Sequence, residues 1–241
     1  MSQNLLELSG VHTHIGAYHI LHGVDLVVPR GQLTMLLGRN GAGKTTTLRT
    51  IMGLWKASRG RVTFDGIDVT ALETAQIAAL GIAYVPENMG IFADLTVKEN
   101  MLLAARSAKR AQHMDTQRLE WIYSLFPAVK QFWNHPAGKL SGGQKQMLAV
   151  ARSMVEPRKL LIVDEPSKGL APAIINNMID AFAQLKLTGT TILLVEQNIS
   201  FAKRLGDRVA VMDNGRVVHA GPMQELAASE ELQHALLGLA I

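Results

Sequence analysis

The stretch LTMLLGRNGAGKT, residues 33–45, decides the fold. Its first five residues, 33–37, are mostly apolar and have the length of a strand that is buried on both faces. The next eight, 38–45, fit the pattern G-x-x-x-x-G-K-[ST], in which glycines let the backbone wrap closely around phosphate oxygens. A helix is predicted to begin near Lys44. A strand, a phosphate-binding loop and a helix in this order predict a nucleotide-binding α/β protein.

The loop predicts ATP and Mg²⁺ as ligands. Its backbone N–H groups, and those at the start of the helix, attract anions. Lys44 supplies a positive charge to the β- and γ-phosphates, and Thr45 offers a hydroxyl ligand to Mg²⁺. We expect the following residues to bind the nucleotide: Gly38, Arg39, Asn40, Gly41, Ala42, Gly43, Lys44, Thr45 and Thr46.

The remaining pattern predicts an α/β core with a mainly parallel sheet. Short runs rich in Val, Ile and Leu alternate with amphipathic helical patterns, of which 172–186 is the clearest. The first 30 residues or so and residues 61–69 are typical of antiparallel strands instead. A helical insertion is predicted at about 88–155. The apolar runs that we interpret as further core strands are 160–163, 191–195 and 209–212.

Two acids follow the second apolar run. Asp164 and Glu165 come at the end of a predicted buried strand, which faces the same edge of a parallel sheet as the phosphate loop. Asp164 is suited to hold Mg²⁺, directly or through water. Glu165 could orient or polarise the attacking water. We therefore expect Glu165 and Lys44 to be catalytic residues.

A second anion site is predicted at Ser141-Gly142-Gly143-Gln144, where a helix begins. Ser141 is a natural N-cap, and the two glycines expose backbone amides. One nucleotide cannot obviously use both anion sites of one chain, but two chains packed head to tail would place an ATP between them. These ordered motifs resemble those of the ATP-binding cassette (ABC) family, the motor subunits of ABC transporters.

The resemblance covers nearly the whole chain and implies the family's P-loop NTPase fold. One ABC ATPase domain would span 1–241. Its catalytic core, including the antiparallel β subdomain, would comprise about 1–87 and 156–241, and its α-helical subdomain about 88–155.

The resemblance also assigns further residues. Glu87 stands where the family has a glutamine that touches Mg²⁺ and senses the membrane partner. Gln197 stands at the position of the family's switch histidine, so the resemblance makes it a third expected catalytic residue. A glutamine amide still donates to a γ-phosphate oxygen, although it carries no charge. Ala171 replaces an aspartate. The aromatic residue that stacks on adenine falls at Ile15, with Tyr18 as a nearby substitute, and the register leaves both open.

The departures resemble one subfamily. Val-Pro-Glu, Glu-Gln-Asn and Ser-x-Gly-Leu-Ala-Pro together are similar to the F-type ATPase of branched-chain amino acid importers, a subfamily that also serves urea, short amides and some aromatic acids. Lys168 is atypical at a position that is usually apolar. The resemblance implies transmembrane permease subunits, a second ATPase subunit (the same chain or a related one) and, indirectly, a solute-binding protein. It implies a peripheral location at the cytoplasmic face of the cell membrane.

Composition excludes several other classes. The chain has 241 residues and no cysteine, so disulfide scaffolds and thiol nucleophiles are excluded. No apolar run approaches the roughly 18–20 residues of a membrane helix. The net charge of +4 comes without a large basic cluster, the nearest being Lys109-Arg110, so we expect no nucleic-acid partner. A non-transport ABC ATPase acting on DNA or ribosomes is the alternative from another class, but it usually carries two cassettes, a long coiled-coil insertion or a zinc module. A lipid exporter ATPase is a weaker option.

Two clusters admit two interpretations. His12, His14, His19 and His22 could suggest a metal, although exposed histidines of a β region fit the spacing better. Trp121, Phe126 and Trp133 either belong to the core, which we favour, or line a groove for a membrane partner.

Overall fold

The computed structural model describes residues 3–105 and 114–238. The Lys109-Arg110 pair lies outside these residues. The strands are β1 (Asn4–Ile15), β2 (Tyr18–Pro29), β3 (Leu33–Leu37), β4 (Ala57–Phe64), β5 (Ile67–Asp68), β6 (Ile82–Val85), β7 (Leu160–Asp164), β8 (Thr191–Glu196), β9 (Arg208–Asp213) and β10 (Arg216–Pro222). The helices are α1 (Lys44–Ile51), α2 (Thr74–Ala79), α3 (Val97–Ala104), α4 (Thr116–Leu125), α5 (Pro127–Gln131), α6 (Gly142–Ser153), α7 (Pro172–Leu187), α8 (Ile199–Leu205), α9 (Met223–Ala228) and α10 (Glu230–Leu237).

The core sheet has the order β10-β9-β3-β8-β7-β6 within the described residues. Strands β3 and β8, β3 and β9, β7 and β8, and β6 and β7 all pair in parallel. Every residue of β3, β7 and β8 is buried, as expected for strands covered on both faces. The predicted α/β fold with a mainly parallel core is confirmed.

The second sheet, of order β2-β1-β4-β5, is antiparallel and covers one face of the core sheet. Leu36, Ile162 and Leu193 of the core strands share a hydrophobic cluster with residues of β1, β2 and β4. Residues on the opposite face, such as Met35 and Leu161, pack with the helices. The predicted antiparallel β subdomain is also confirmed.

The strand order determines which residues meet at the C-terminal edge. Strand β8 lies between β3 and β7, and β6 flanks β7 on its other side. Because these strands are parallel, the phosphate loop after β3, Glu87 after β6, Asp164 and Glu165 at β7, and Gln197 after β8 all lie at one edge. We call these residues, with Lys44, the catalytic edge.

Strand β10 was not predicted from the sequence. It pairs antiparallel with β9 at the margin of the core sheet. A turn at Asn214-Gly215 joins them, and both residues have positive φ, at 44° and 74°. An Asn-Gly pair between two strand-like runs is the usual signal for such a hairpin.

No helix among the described residues is long and apolar enough to cross a membrane.

Candidate nucleotide and hydrolysis site

The phosphate loop depends on glycines at two close approaches. Gly38 has φ 149°, and a side chain there would overlap the carbonyl oxygen of Met212. Gly43, with φ 104°, is the N-cap of α1 and lies against Leu21. A residue with a side chain would be strained at either position. The loop therefore leads from β3 directly into the N-terminus of α1, as expected for a phosphate site.

Lys44 is buried and held by the loop itself. Its Nζ donates to the carbonyl oxygens of Gly38, at 2.8 Å, and of Arg39, at 3.0 Å. The Glu165 Oε1 lies 3.6 Å away. Burial lowers the pKa of Lys44 below its ordinary value, while Glu165 opposes this shift. The ammonium group is thus positioned within the loop that would receive the phosphates.

Asp164 has the surroundings of a cation ligand. Its side chain is fully buried, and its Oδ1 has no hydrogen-bond partner among the described residues. The Tyr84 hydroxyl donates to Oδ2 at 3.5 Å. Burial raises the pKa of Asp164 to about 6, the nearby Glu165 and Glu87 adding to the rise and the Thr45 hydroxyl opposing it. An unpartnered buried carboxylate oxygen beside a hydroxyl and other acids fits the oxygen ligands that Mg²⁺ prefers.

Glu165 is held in an unusual backbone conformation. Its φ is 48°, and its N–H donates to the carbonyl oxygen of Val195 at 3.0 Å, which fixes the turn after β7 to β8. Its side chain is buried. A non-glycine residue in the left-handed region is costly, and such strain clusters at functional sites.

Gln197 joins the phosphate loop to Glu165. Its Nε2 donates to Asn40 Oδ1 at 2.8 Å and to Glu165 Oε1 at 2.5 Å. Since β8 lies between β3 and β7, the residue after β8 emerges between the two groups that it bridges. A neutral amide can perform this bridging without adding charge.

Glu87 lies on the β6 side of the catalytic edge, paired with a lysine. The Lys168 Nζ lies 2.5 Å from Glu87 Oε1 and 3.5 Å from Glu165 Oε2. The hydrogen bond to Glu87 raises the pKa of Lys168. The structure thus brings Lys44, Asp164, Glu165, Gln197 and Glu87 together.

The second predicted anion site, residues 141–144, is named the signature turn here. The Ser141 hydroxyl accepts from the Gln144 N–H, and the Gln144 side chain accepts from the Ser141 N–H. Gly143 is packed against α7, where an added Cβ would lie 2.8 Å from Ile174 Cγ2, whereas Gly142 faces open space. Among the described residues, no hydrogen bond or ion pair joins the signature turn to residues 38–46.

Comparison with known proteins identifies this arrangement. The model of the ABC transporter family matches residues 21–168, which include the phosphate loop, the signature turn and both strand-end acids. The chain belongs to the ABC transporter family. It is therefore a nucleotide-binding ATPase, as predicted.

The curated relatives are transport ATPases. The chain is 36% identical over 234 residues to the high-affinity branched-chain amino acid transport ATP-binding protein BraG of Pseudomonas aeruginosa, covering 97% of this chain and 100% of that one. It is also 36% identical over 222 residues to the probable branched-chain amino acid transport ATP-binding protein LivF of Archaeoglobus fulgidus, covering 92% and 93%. The recognition of this subfamily is thereby confirmed.

Solved structures agree with the fold. The ADP conformation of MJ1267, an ATP-binding cassette of an ABC transporter, superposes with a TM-score of 0.80 at 27% identity. The match covers 98% of this chain and 95% of that one. ATP-binding cassettes of ABC transporters dimerise and work with transmembrane permease subunits, and they are peripheral to the membrane.

The two candidates for stacking on adenine lie at the tip of the β1–β2 hairpin of this ABC ATPase. Ile15 ends β1, Tyr18 begins β2, and they are register partners. Ile15 is half-buried, while Tyr18 is 76% exposed. The structure therefore places both at one position along the hairpin, and the choice between them stays a prediction.

Ala171 is the N-cap of α7 and offers no side-chain cap.

Two residues at the site and one in α3 were not singled out from the sequence or were left unexplained. Tyr84 reaches Asp164 from β6, and Lys168 bridges two acids. Asn100 is buried in α3, and its side chain makes two hydrogen bonds to the backbone of Phe92. Asn100 Oδ1 accepts from the Phe92 N–H at 3.0 Å, and Asn100 Nδ2 donates to the Phe92 carbonyl oxygen at 2.9 Å. A polar Asn between Val97 and Met101 on an otherwise apolar helix face was the available signal.

The aromatic and histidine clusters also have places in the ABC ATPase fold. Phe126 is buried, and Trp121 and Trp133 pack against the core cluster, as favoured. Three contacts link the four histidines on β1 and β2, with ring centroids 4.1–5.2 Å apart. Within residues 3–105 and 114–238, no group of three or more His, Asp or Glu side chains could hold a metal ion.

Proposed function

We propose that this chain is the ATP-hydrolysing subunit of an importer for branched-chain amino acids or closely related small solutes. Two relatives of 36% identity that match over 92–97% of this chain carry branched-chain amino acid transport in their names. The observation that carries the ATPase role is the joint placement of Lys44, Asp164, Glu165 and Gln197 at one edge of a parallel sheet.

We propose that hydrolysis depends on positioning and on electrostatic stabilisation. The amides of residues 39–45 and the Lys44 ammonium bind the phosphates. Glu165 accepts a proton from the water it aligns, and Gln197 keeps one amide hydrogen on the Glu165 carboxylate while the other turns from Asn40 toward the γ-phosphate. Thr45, Asp164 and Glu87 would hold Mg²⁺, which when bound neutralises phosphate charge. Asp164 supports this assignment by its unpartnered buried oxygen.

The proposed site is complete only between two chains. Within the part of the chain that the structure describes, the signature turn presents Gly142 to open space and shares no hydrogen bond with the phosphate loop. A second ATPase chain, either another copy or a related subunit, would therefore supply Ser141, Gly142, Gly143 and Gln144 to the ATP held by this chain. In return, this chain's signature turn would serve the second ATP.

A groove beside Glu87 supports docking of a permease. It has a volume of about 1000 Å³, and residues 86–90 form one wall. Arg49, Trp55 and Arg152 also line it, and Arg152 donates to the carbonyl oxygen of Gly90 at 2.6 Å. Phe92, two residues beyond the 86–90 segment, is half exposed. Since Glu87 belongs to both the groove and the catalytic edge, docking and hydrolysis would share one residue. The chain would then work at the cytoplasmic face of the membrane.

Uptake measurements test the transport role. In the organism that makes this protein, deletion of its gene should reduce uptake of radiolabelled leucine, isoleucine and valine. The wild-type gene should restore uptake and Glu165→Gln should not. Unchanged uptake of these amino acids, together with a co-purifying solute-binding protein that binds urea, an amide or an aromatic acid, would overturn the assigned substrate. Stimulation of the ATPase by DNA or ribosomes, without co-purifying permeases, would overturn the transport role itself.

A further inference from the structure

Lys168 links two carboxylates of the catalytic edge. Its Nζ lies 2.5 Å from Glu87 Oε1 and 3.5 Å from Glu165 Oε2. Glu87 follows β6 and Lys168 follows β7, which are neighbours in the core sheet. The ion pair therefore ties the segment that lines the groove to the turn that carries Glu165.

The charges at this edge explain why a lysine is useful there. Three acids lie together, since Glu87 and Glu165 both raise the pKa of Asp164. Lys44 faces Glu165 at 3.6 Å, and Lys168 faces Glu87. Once ATP binds, Lys44 has phosphates as partners and a divalent cation brings two positive charges to the same acids. Lys168 then becomes one of two cations that can hold Glu87.

We propose that Lys168 is a positioning residue that holds Glu87 in the nucleotide-free chain, so that Lys168 and the incoming metal ion compete for the Glu87 carboxylate. This inference rests on the metal ligands assigned under the proposed function. The ammonium group occupies Glu87 Oε1 and offsets the charge of the carboxylate, so the ion pair makes Glu87 a weaker ligand and raises the metal concentration needed to load the site. Loading would also release the 86–90 segment from the turn after β7.

Metal binding, rather than turnover, tests the competition. Free Mn²⁺ is measured by electron paramagnetic resonance while it is titrated into the full chain with saturating non-hydrolysable ATP analogue. Lys168→Met should lower the half-saturating Mn²⁺ concentration by about two- to fivefold, because a partly exposed ion pair is weak. Lys168→Arg should retain the wild-type value. Lys203→Met, which removes an exposed lysine from α8, is the matched control and should cause no shift.

The double variant makes the test specific to Glu87. In a Glu87→Gln background, Lys168→Met should leave the half-saturating Mn²⁺ concentration unchanged, since there is no carboxylate to compete for. An equal shift in both backgrounds, or no shift in either, would overturn the inference while nucleotide-dependent Mn²⁺ binding still supports the site. A wild-type chain that binds no Mn²⁺ with the analogue would instead contradict the proposed site, and the inference with it.

Discussion

The catalytic edge and the signature turn, which we propose as the two anion sites of the chain, differ in how far contacts within one chain organise them. At the catalytic edge, Lys44 contacts loop carbonyls and Glu165, and Gln197 bridges to Asn40. At the signature turn, Ser141 and Gln144 satisfy each other and Gly142 faces open space. One region is held by contacts within the chain, while the other leaves Gly142 facing open space. This contrast supports the proposal that the two regions of one chain serve different nucleotides.

The largest expected effect belongs to the internally organised region. Lys44→Met should lower steady-state ATP turnover by about 10²–10³-fold or more, because it removes a buried cation that would stabilise phosphate charge. Nucleotide affinity should fall as well. Phosphate release measures turnover, and binding of a fluorescent ATP analogue measures affinity. Lys203→Met removes an exposed lysine and should leave both unchanged. Turnover near the wild-type rate in Lys44→Met would contradict the assignment of the loop.

A negative charge introduced at the signature turn should lower ATP turnover without lowering thermal stability. Gly142→Asp adds an acid at the start of α6, where it interacts favourably with the helix dipole, so thermal stability should not fall. Facing a phosphate from another chain, the same acid should lower turnover by about 10²-fold, because like charges in contact cost several kcal/mol. Gly142→Asn, of similar size but uncharged, should lose much less. Equal losses in the two variants would mean that bulk rather than charge matters there.

The contribution of the catalytic edge to the free energy of unfolding should also depend on pH. Asp164 has a pKa of about 6 in the folded chain, above its ordinary value of 3.8, so the folded state binds its proton more tightly. The contribution of Asp164 to the free energy of unfolding therefore falls by up to about 2–3 kcal/mol as the pH rises from about 4 to about 6. In EDTA without nucleotide, Asp164→Asn should be the more stable form at pH 8 and lose that advantage near pH 4. A constant difference across this range, measured by urea unfolding, would contradict the shift.

The smallest effect distinguishes the two glycines of the signature turn. An added Cβ at Gly143 would lie 2.8 Å from Ile174, so Gly143→Ala should destabilise the chain by about 1–3 kcal/mol. Gly142→Ala has open space and should change the free energy of unfolding little. Ile174→Ala, which removes both Cγ atoms that the new Cβ would meet, should reduce the loss caused by Gly143→Ala. Equal unfolding midpoints for the two alanine variants would show that α6 and α7 can move apart freely.

The sequence predicted the elements whose signals are local. The phosphate loop, the buried strands around 33–37 and 160–164 and the N-cap at Ser141 each depend on adjacent residues, and the fold follows from them. The placement of Gln197 between Asn40 and Glu165 depends on strand order, which periodicity alone does not reveal. Lys168 could not be interpreted because its partner, Glu87, is 81 residues away in sequence and adjacent only through the pairing of β6 with β7. Gly142 and Gly143 differ because α7 packs against Gly143 alone, and the sequence does not reveal this packing.

Native mass spectrometry of ATP-loaded Glu165→Gln is the strongest test of the proposal that two ATPase chains complete each ATP site. The variant retains nucleotide binding but should hydrolyse slowly, so the closed state should accumulate. The measurement is made on the chain alone and on the chain co-expressed with its second ATPase subunit. We expect, in at least one sample, a particle with two ATPase chains and two ATP, and we expect Gly142→Asp to abolish this particle. ATP-bound single chains in both samples would contradict it.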